Sequence, residues 1–251
     1  MVAAGVCAVT TVDRAWFMRC AEEYERQAAG GDFPIDWAAM HPCDDRVGGA
    51  IFDAHYARCD LWAARIVEEN WTWCTTNALE PHVDVGSRLD GFVTHLLAGK
   101  VCVTHVDVRP TGFEWPGFSF RQDDARTLAT FADASVRSLS CLHAAEHAGL
   151  GRYGDDVDAH GMIKTTRALA RILAPGGRLY FAVPIGRQRV AFNAHRISSP
   201  TWVVSRFRER GLTLESFAAV DDAGAWHPEA RPEDFEFATY ACGCFCFTRP
   251  A

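Results

Sequence analysis

The sequence predicts an α/β fold, a doubly wound, mainly parallel sheet over residues 81–251 preceded by a helical N-terminal extension or cap over residues 1–80. Three observations predict it. From His82 onward, short apolar runs alternate with segments of helical period, the pattern that builds a parallel sheet. Residues 179–184 are almost wholly apolar, as a strand covered on both faces must be. The first three runs end in Gly86, Asp107 and Asp123-Asp124, and polar strand ends face the side of such a sheet where ligands collect.

Residues 1–80 read as mostly helical. Trp16, Cys20 and Tyr24 share one helical face, and Glu22 and Arg26 have the spacing of an exposed supporting pair. Residues 30–49 carry Gly, Pro, Asp and His without a period and read as a loop-rich connection. A second helix is expected over 53–69, with Tyr56, Leu61, Ala64 and Ile66 on its apolar side. Trp71 and Trp73 then need a core to sit against.

In the sheet region, HVDVGS is a first strand ending at Gly86, followed by a helix over 89–97. VCVTHVDVRP is a second strand ending at Asp107 and stopped by Pro110, and FSFRQDDA is a third. The fourth strand begins near Ser138. The helix after it places Met162, Ile163, Leu169, Ile172 and Leu173 near one face, with Asp158 as N-cap and Pro175-Gly176-Gly177 as the stop. A helix over 201–209, a strand over 212–220 and a final strand over 237–248 complete the chain, the last two being candidates for antiparallel pairing.

Composition narrows the function. The 251 residues are 49% apolar and 23% charged, an ordinary globular mix, and the net charge of −7 argues against a nucleic-acid backbone as partner. No apolar run approaches a bilayer span and no signal-peptide pattern opens the chain, so the expected location is the cytosol, cytoplasmic, with the ten cysteines reduced.

The strand ends carry the chemistry. Gly86, after Asp84 and before Ser87 and Arg88, lets a ligand approach the backbone closely, and Asp107 ends the next strand about 20 residues on, where an acid can accept from ribose hydroxyls. Asp124 can accept from an adenine amino group or cap the following turn. The strings HVDVGSRLDGF, VDVRP, QDDA, SLSCLHAAEH and LARILAPGGRLYFAVP together resemble the motif series of the class I S-adenosylmethionine-dependent methyltransferases over residues 82–185. More narrowly, DLWAARI, HVDVGSRLDGFVTHLL, EHAGLGRYGDDVDAHG and FNAHR resemble the subgroup designated domain of unknown function DUF268, over roughly residues 50–220. The resemblance implies a Rossmann-like, seven-stranded sheet with an antiparallel last strand, and S-adenosyl-L-methionine as cofactor over the ends of the first, second and fourth strands. Its candidate cofactor residues here are Asp84, Gly86, Ser87, Arg88, Asp107, Asp124 and His143. The glycine turn departs from the family, since Ser87 and Arg88 follow Gly86 and the next glycine is Gly91. Arg88 there either pairs with the cofactor carboxylate or fills the turn.

The loop after the fourth strand holds His143, Glu146, His147, Arg152, Tyr153 and Asp155, and Asn193-Ala194-His195-Arg196 follows the fifth. Methyl transfer to a hydroxyl needs a base, and His147 or His195, with Asp155, supplies the catalytic set. Arg152, Tyr153, Asn193 and Arg196 suit a polyhydroxylated acceptor. The bland reading of Glu146 and His147 is that they cap or buttress the loop. No metal is expected: Asp155, Asp156, Asp158 and His160 are a run of loop acids, usually solvated. Cys242, Cys244 and Cys246 alternate along one strand, so they cannot by themselves wrap an ion and read as small buried hydrophobes. Trp226 and His227 read as covering the sheet edge. The leading expectation is O-methylation of a sugar or polysaccharide intermediate, with a small molecule or glycan as partner. The alternatives are a noncatalytic binding subunit of a glycan pathway and a nucleotide-sugar enzyme.

Overall fold

The computed structural model describes residues 14–27, 35, 37, 53–74 and 80–251. The chain divides into two compact units, Met1–Phe52 and Asp53–Ala251. In the first, α1 (Arg14–Gln27) buries none of its residues. Arg26 pairs with Glu23 across three positions, in place of the expected Glu22, and Glu25 accepts from the Trp37 indole at 2.8 Å. The loop read over 30–49 lies almost wholly outside the described residues.

The second unit, Asp53–Ala251, includes α2 (Ala54–Cys74), which the sequence places with the extension over residues 1–80. Trp71 packs with the cluster that α2 covers, as expected of it; the Trp73 side chain lies outside the described residues. The strands are β1 (His82–Val85), β2 (Val103–Asp107), β3 (Phe118–Gln122), β4 (Val136–Leu142), β5 (Leu173–Ile185), β6 (Arg189–Ala191), β7 (His195–Ile197), β8 (Thr213–Val220), β9 (Trp226–His227) and β10 (Ala241–Thr248). Eight form one sheet in the order β3-β2-β1-β4-β5-β10-β8-β9, and β6-β7 is a separate ribbon. Pairing is parallel from β3 through β5, and β10 is antiparallel to both β5 and β8. This is the expected seven-stranded mixed sheet, extended by the two-residue β9, whose Trp226 and His227 pair along the β8 edge. Among the described residues no helix is long and apolar enough to cross a membrane.

Helices cover both faces. A turn at Leu89–Val93, broken at Gly91, leads into α3 (Thr94–Ala98), which packs with α2 on one face. On the other face lie α4 (Gly161–Ile172) and α5 (Pro200–Arg208), the latter capped by the Ser199 hydroxyl accepting from Trp202 N. The strict alternation of β10 divides its side chains between the two cores: Phe245 and Phe247 enter the α4–α5 side, and Cys242, Cys244 and Cys246 the α2–α3 side. Each buried phenylalanine stabilises by about 1.5–3 kcal/mol, so most of the apolar burial from β10 falls on the α4–α5 side. Among the expected boundaries that shift, two have a visible cause. Asp158 does not cap α4, which starts after His160; its backbone carbonyl accepts from Gly161 N, and its carboxylate accepts from His160 N and Lys164. The last strand begins at Ala241 instead of 237, because Phe237 is 83% exposed and the N–H groups of Thr239 and Tyr240 donate to the Asp222 carboxylate.

Candidate functional site

The site is assembled at the carboxyl ends of β1, β2, β3 and β4. At its centre the chain turns sharply after β1 at Gly86, which has φ +73°. A Cβ added there would lie 2.8 Å from the Ala144 Cβ, so only glycine lets the turn and the loop after β4 close on one another. Gly86 N donates to Val106 O at 2.8 Å, which ties the turn to β2.

A buried polar chain behind the turn holds it. Asp84 accepts at Oδ1 from the hydroxyls of Ser87 (2.5 Å) and Ser140 (2.6 Å), and at Oδ2 from His105 Nδ1 (2.8 Å). Because Ser140 spends its proton on Asp84, its oxygen accepts from His82 Nε2 at 2.8 Å. His82 Nδ1 then carries the lone pair that accepts from Ser138 at 2.7 Å. The chain thus runs from β4 through His82 to the turn. Burial alone would raise the Asp84 carboxyl, but the bonds from His105, Ser140 and Ser87 more than offset it and hold it below the ordinary range. Burial pushes His82 down to about 4, so its ring is neutral. Ser87 also accepts from Leu142 N at 3.2 Å. Asp84, expected to touch a cofactor, is thus turned inward and positions the turn, whereas Ser87 borders the space in front of the turn with its hydroxyl engaged behind it. Arg88 does not fill it: its guanidinium pairs with Asp90 at 2.7 Å and lies 4.9 Å from the Tyr56 ring centroid.

Two adjoining cavities open in front of the turn and share Gly86, Asp107, Arg109, His143 and Tyr153. One reaches Asp123, Asp124, Ala125, His147 and Asp155; the other, about 570 Å³, reaches Tyr56, Arg88, Asp90 and Arg152. Asp107 is held by Arg109 through both carboxylate oxygens, an interaction that outweighs burial and keeps its carboxyl low. Asp124 is clamped the same way by Arg126. A carboxylate has about four acceptor positions, so both keep capacity for a ligand donor. Tyr153 lies between Arg109, at 4.4 Å from its ring centroid, and Arg152, at 5.3 Å.

The structure brings some of the expected residues together and separates others. His147 lines the cleft, donates from Nδ1 to Ala194 O at 2.7 Å, and keeps Nε2 3.6 Å from Glu146 Oε1. Burial lowers it, so Nε2 is an unprotonated acceptor at neutral pH. Asp155 also lines the cleft, but its oxygens accept from Gly149 N and Tyr153 N and close the loop. His195, the other expected base, does not line the cleft: it sits on β7 with its ring 4.9 Å from that of Tyr240, and burial lowers it as well. Asn193 is exposed in the turn between β6 and β7, away from both cavities. Arg196 is a brace, its guanidinium donating to the carbonyls of Glu146, Ala148 and Asp158. His143 lines both cavities, but its ring nitrogens are engaged with Glu146 and Cys242. Sequence reasoning missed Arg109, Tyr56 and His105. For Arg109 the signal was its place two residues after a strand-ending aspartate; for Tyr56 on α2 there was none.

Comparison with known proteins bears on the fold. Residues 120–207 match the family described as Caenorhabditis protein of unknown function, DUF268, within the region expected to resemble it. No curated protein sequence matches the chain. Among solved structures the chain is similar to the Burkholderia thailandensis 1,6-didemethyltoxoflavin-N1-methyltransferase, with 14% identity over 100% of this chain and 94% of that one and a TM-score of 0.52. That structure holds 1,6-didemethyltoxoflavin and S-adenosylhomocysteine. It is also similar to the cyclase SpnF, with 15% identity over 99% of this chain and 100% of that one and a TM-score of 0.51. A Galdieria sulphuraria protein assigned as a sarcosine dimethylglycine methyltransferase aligns over 77% of this chain and 86% of its own, at 13% identity and a TM-score of 0.53.

Proposed function

We propose that this chain, whose fold is that of the class I methyltransferases, is an S-adenosylmethionine-dependent methyltransferase acting on a hydroxyl of a sugar or polysaccharide intermediate. The observation that carries the reading is that Gly86 and Asp107 open onto the same cleft as His147 and Tyr153. The residues fit the cofactor. The turn at Gly86 presents backbone with no Cβ in the way, Asp107 offers carboxylate oxygens at the end of β2, and Asp124 offers them beyond β3. Gly86, Asp107, Asp124 and Arg88 would hold it, with Asp84 and Ser87 behind them. Bound there, the cofactor supplies a methyl group on a sulfonium for in-line displacement. The chain's own part is to orient the acceptor and take its proton. His147 is the base: Nδ1–H on Ala194 O leaves the lone pair on Nε2, and the nearby Glu146 carboxylate stabilises the imidazolium once the proton arrives. Arg152 and Tyr153 supply a donor and a face for a polyhydroxylated ring.

The test is calorimetric titration of the protein with S-adenosylhomocysteine, followed by a screen of sugar acceptors with a labelled methyl donor. Micromolar binding that is lost in Asp107→Ala supports the reading, and no binding to the wild type removes it. A second reading is favoured by one observation: Arg88, Arg109 and Arg152 line one cavity with Tyr56 and Tyr153. That set suits the diphosphate and base of a nucleotide-sugar. Retention of a nucleotide-sugar with rejection of S-adenosylhomocysteine would favour it.

A further inference from the structure

On the α2 face of the sheet, side chains from three distant segments meet. Cys59 comes from α2, Cys242 and Cys244 from β10, and His143 from the end of β4. The three Sγ atoms lie within 4.8 Å of one another, those of Cys242 and Cys244 being 3.9 Å apart, and His143 Nε2 is 3.3 Å from Cys242 Sγ. All three thiols are fully buried and His143 is 7% exposed. The alternation of β10 puts two sulfurs on one face, which cannot enclose an ion alone; α2 supplies the third sulfur from above and the loop after β4 the nitrogen.

We infer that Cys59, Cys242, Cys244 and His143 form a structural zinc site. With Zn–S near 2.3 Å a tetrahedral site has S···S edges of about 3.8 Å, close to the 3.9 Å between the Cys242 and Cys244 sulfurs; His143 Nε2, 3.3 Å from Cys242 Sγ but outside the trio of sulfurs that lie within 4.8 Å of one another, has to swing towards them to take the fourth position. A second observation points the same way. His143 Nδ1 is 3.2 Å from Oε1 of Glu146, a carboxylate buried to 1% exposure whose Oε2 has no hydrogen-bond partner. A buried carboxylate backing the far nitrogen of an imidazole is the arrangement that orients a metal-ligating histidine and settles its tautomer. Inert core thiols would need neither the ring nitrogen aimed at them nor the carboxylate behind it. Four protein ligands leave no open position, so the ion joins α2, β4 and β10 and forms part of the floor of the cleft without acting in chemistry there. The inference does not depend on the methyltransferase reading.

The experiment is elemental analysis of the full chain purified without chelator, with cobalt(II) substitution as a second measurement on the wild type. One zinc per chain is expected. The cobalt form should show intense visible ligand-field bands with thiolate-to-cobalt charge transfer. C242S/C244S should lose the zinc and the charge-transfer band. Because that variant can fail to fold, Glu146→Gln is the companion: it keeps all four ligands, and its zinc affinity should fall about 10- to 100-fold with the far-ultraviolet dichroism unchanged. Wild-type protein that purifies without zinc and takes up cobalt with no thiolate band overturns the inference. So does a folded C242S/C244S protein that keeps one zinc per chain.

Discussion

Acid should weaken this protein through His82, by an amount the structure allows to be worked out. The ring sits fully buried on β1 between the hydroxyls of Ser138 and Ser140, and burial lowers it to about 4. In the unfolded chain it titrates near 6.5. Above that value both states are neutral at this site and the residue adds no pH dependence. As pH falls from 6.5 towards 4, the unfolded ring takes up a proton that the folded ring refuses, so stability drops. The loss from this one group is negligible at pH 7, about 2 kcal/mol at pH 5 and about 3 kcal/mol below pH 4. His82→Gln removes the titration while its amide can still donate to Ser140. Urea unfolding of both proteins at pH 7 and pH 5 checks the argument. The variant should be less stable at pH 7, but its loss between the two pH values should be smaller than that of the wild type by about 2 kcal/mol. Equal losses within about 0.5 kcal/mol would refute it.

The site carries three more expectations. Gly86→Ala forces an L-residue into φ +73° and a Cβ to 2.8 Å from Ala144, so urea unfolding should show a loss of at least about 1–2 kcal/mol, with weaker S-adenosylhomocysteine binding by calorimetry. His147→Ala should lower turnover by about 10²–10⁴ while leaving S-adenosylhomocysteine affinity unchanged; an equal fall in affinity would place the residue in binding instead of proton transfer. Arg196→Ala leaves three loop carbonyls without their shared donor and should lower stability by roughly 2–3 kcal/mol, with a new limited-proteolysis cut between residues 148 and 158.

What the sequence made legible was what period and strand ends encode. The parallel strands, the helix with Leu169 and Ile172 inward, and the convergence of Gly86, Asp107 and Asp124 on one cleft all follow from local pattern. Side-chain partners across the fold did not. Asp84 looks like a ligand contact in a strand-end string, yet the buried Ser140 and His105 claim it from β4 and β2, and the Ser87 hydroxyl is spent on Asp84 in turn. His195 follows the neighbouring strand end, that of β5, but the β6-β7 ribbon carries it against Tyr240. The cysteines of β10 read correctly as alternating, and nothing in their spacing announces a fifty-ninth residue on a helix far upstream as their neighbour. Arg26 chose Glu23 over Glu22, a difference of one helical position that pattern cannot rank.

The position of β10 bears on how the chain acquires its structure during synthesis. This strand lies between β5 and β8, yet its eight residues are the last regular segment of the described chain. Until residues 241–248 leave the ribosome, β8 has no place in the sheet, and the apolar edge of β5 stands open for other strands to pair with. The parallel half from β3 to β5 can form during translation, but the other half must wait until residues 241–248 have been made. A nascent chain stalled near residue 240 should therefore bind chaperones and aggregate readily, whereas emergence of residues 241–248 should close the sheet in one cooperative step.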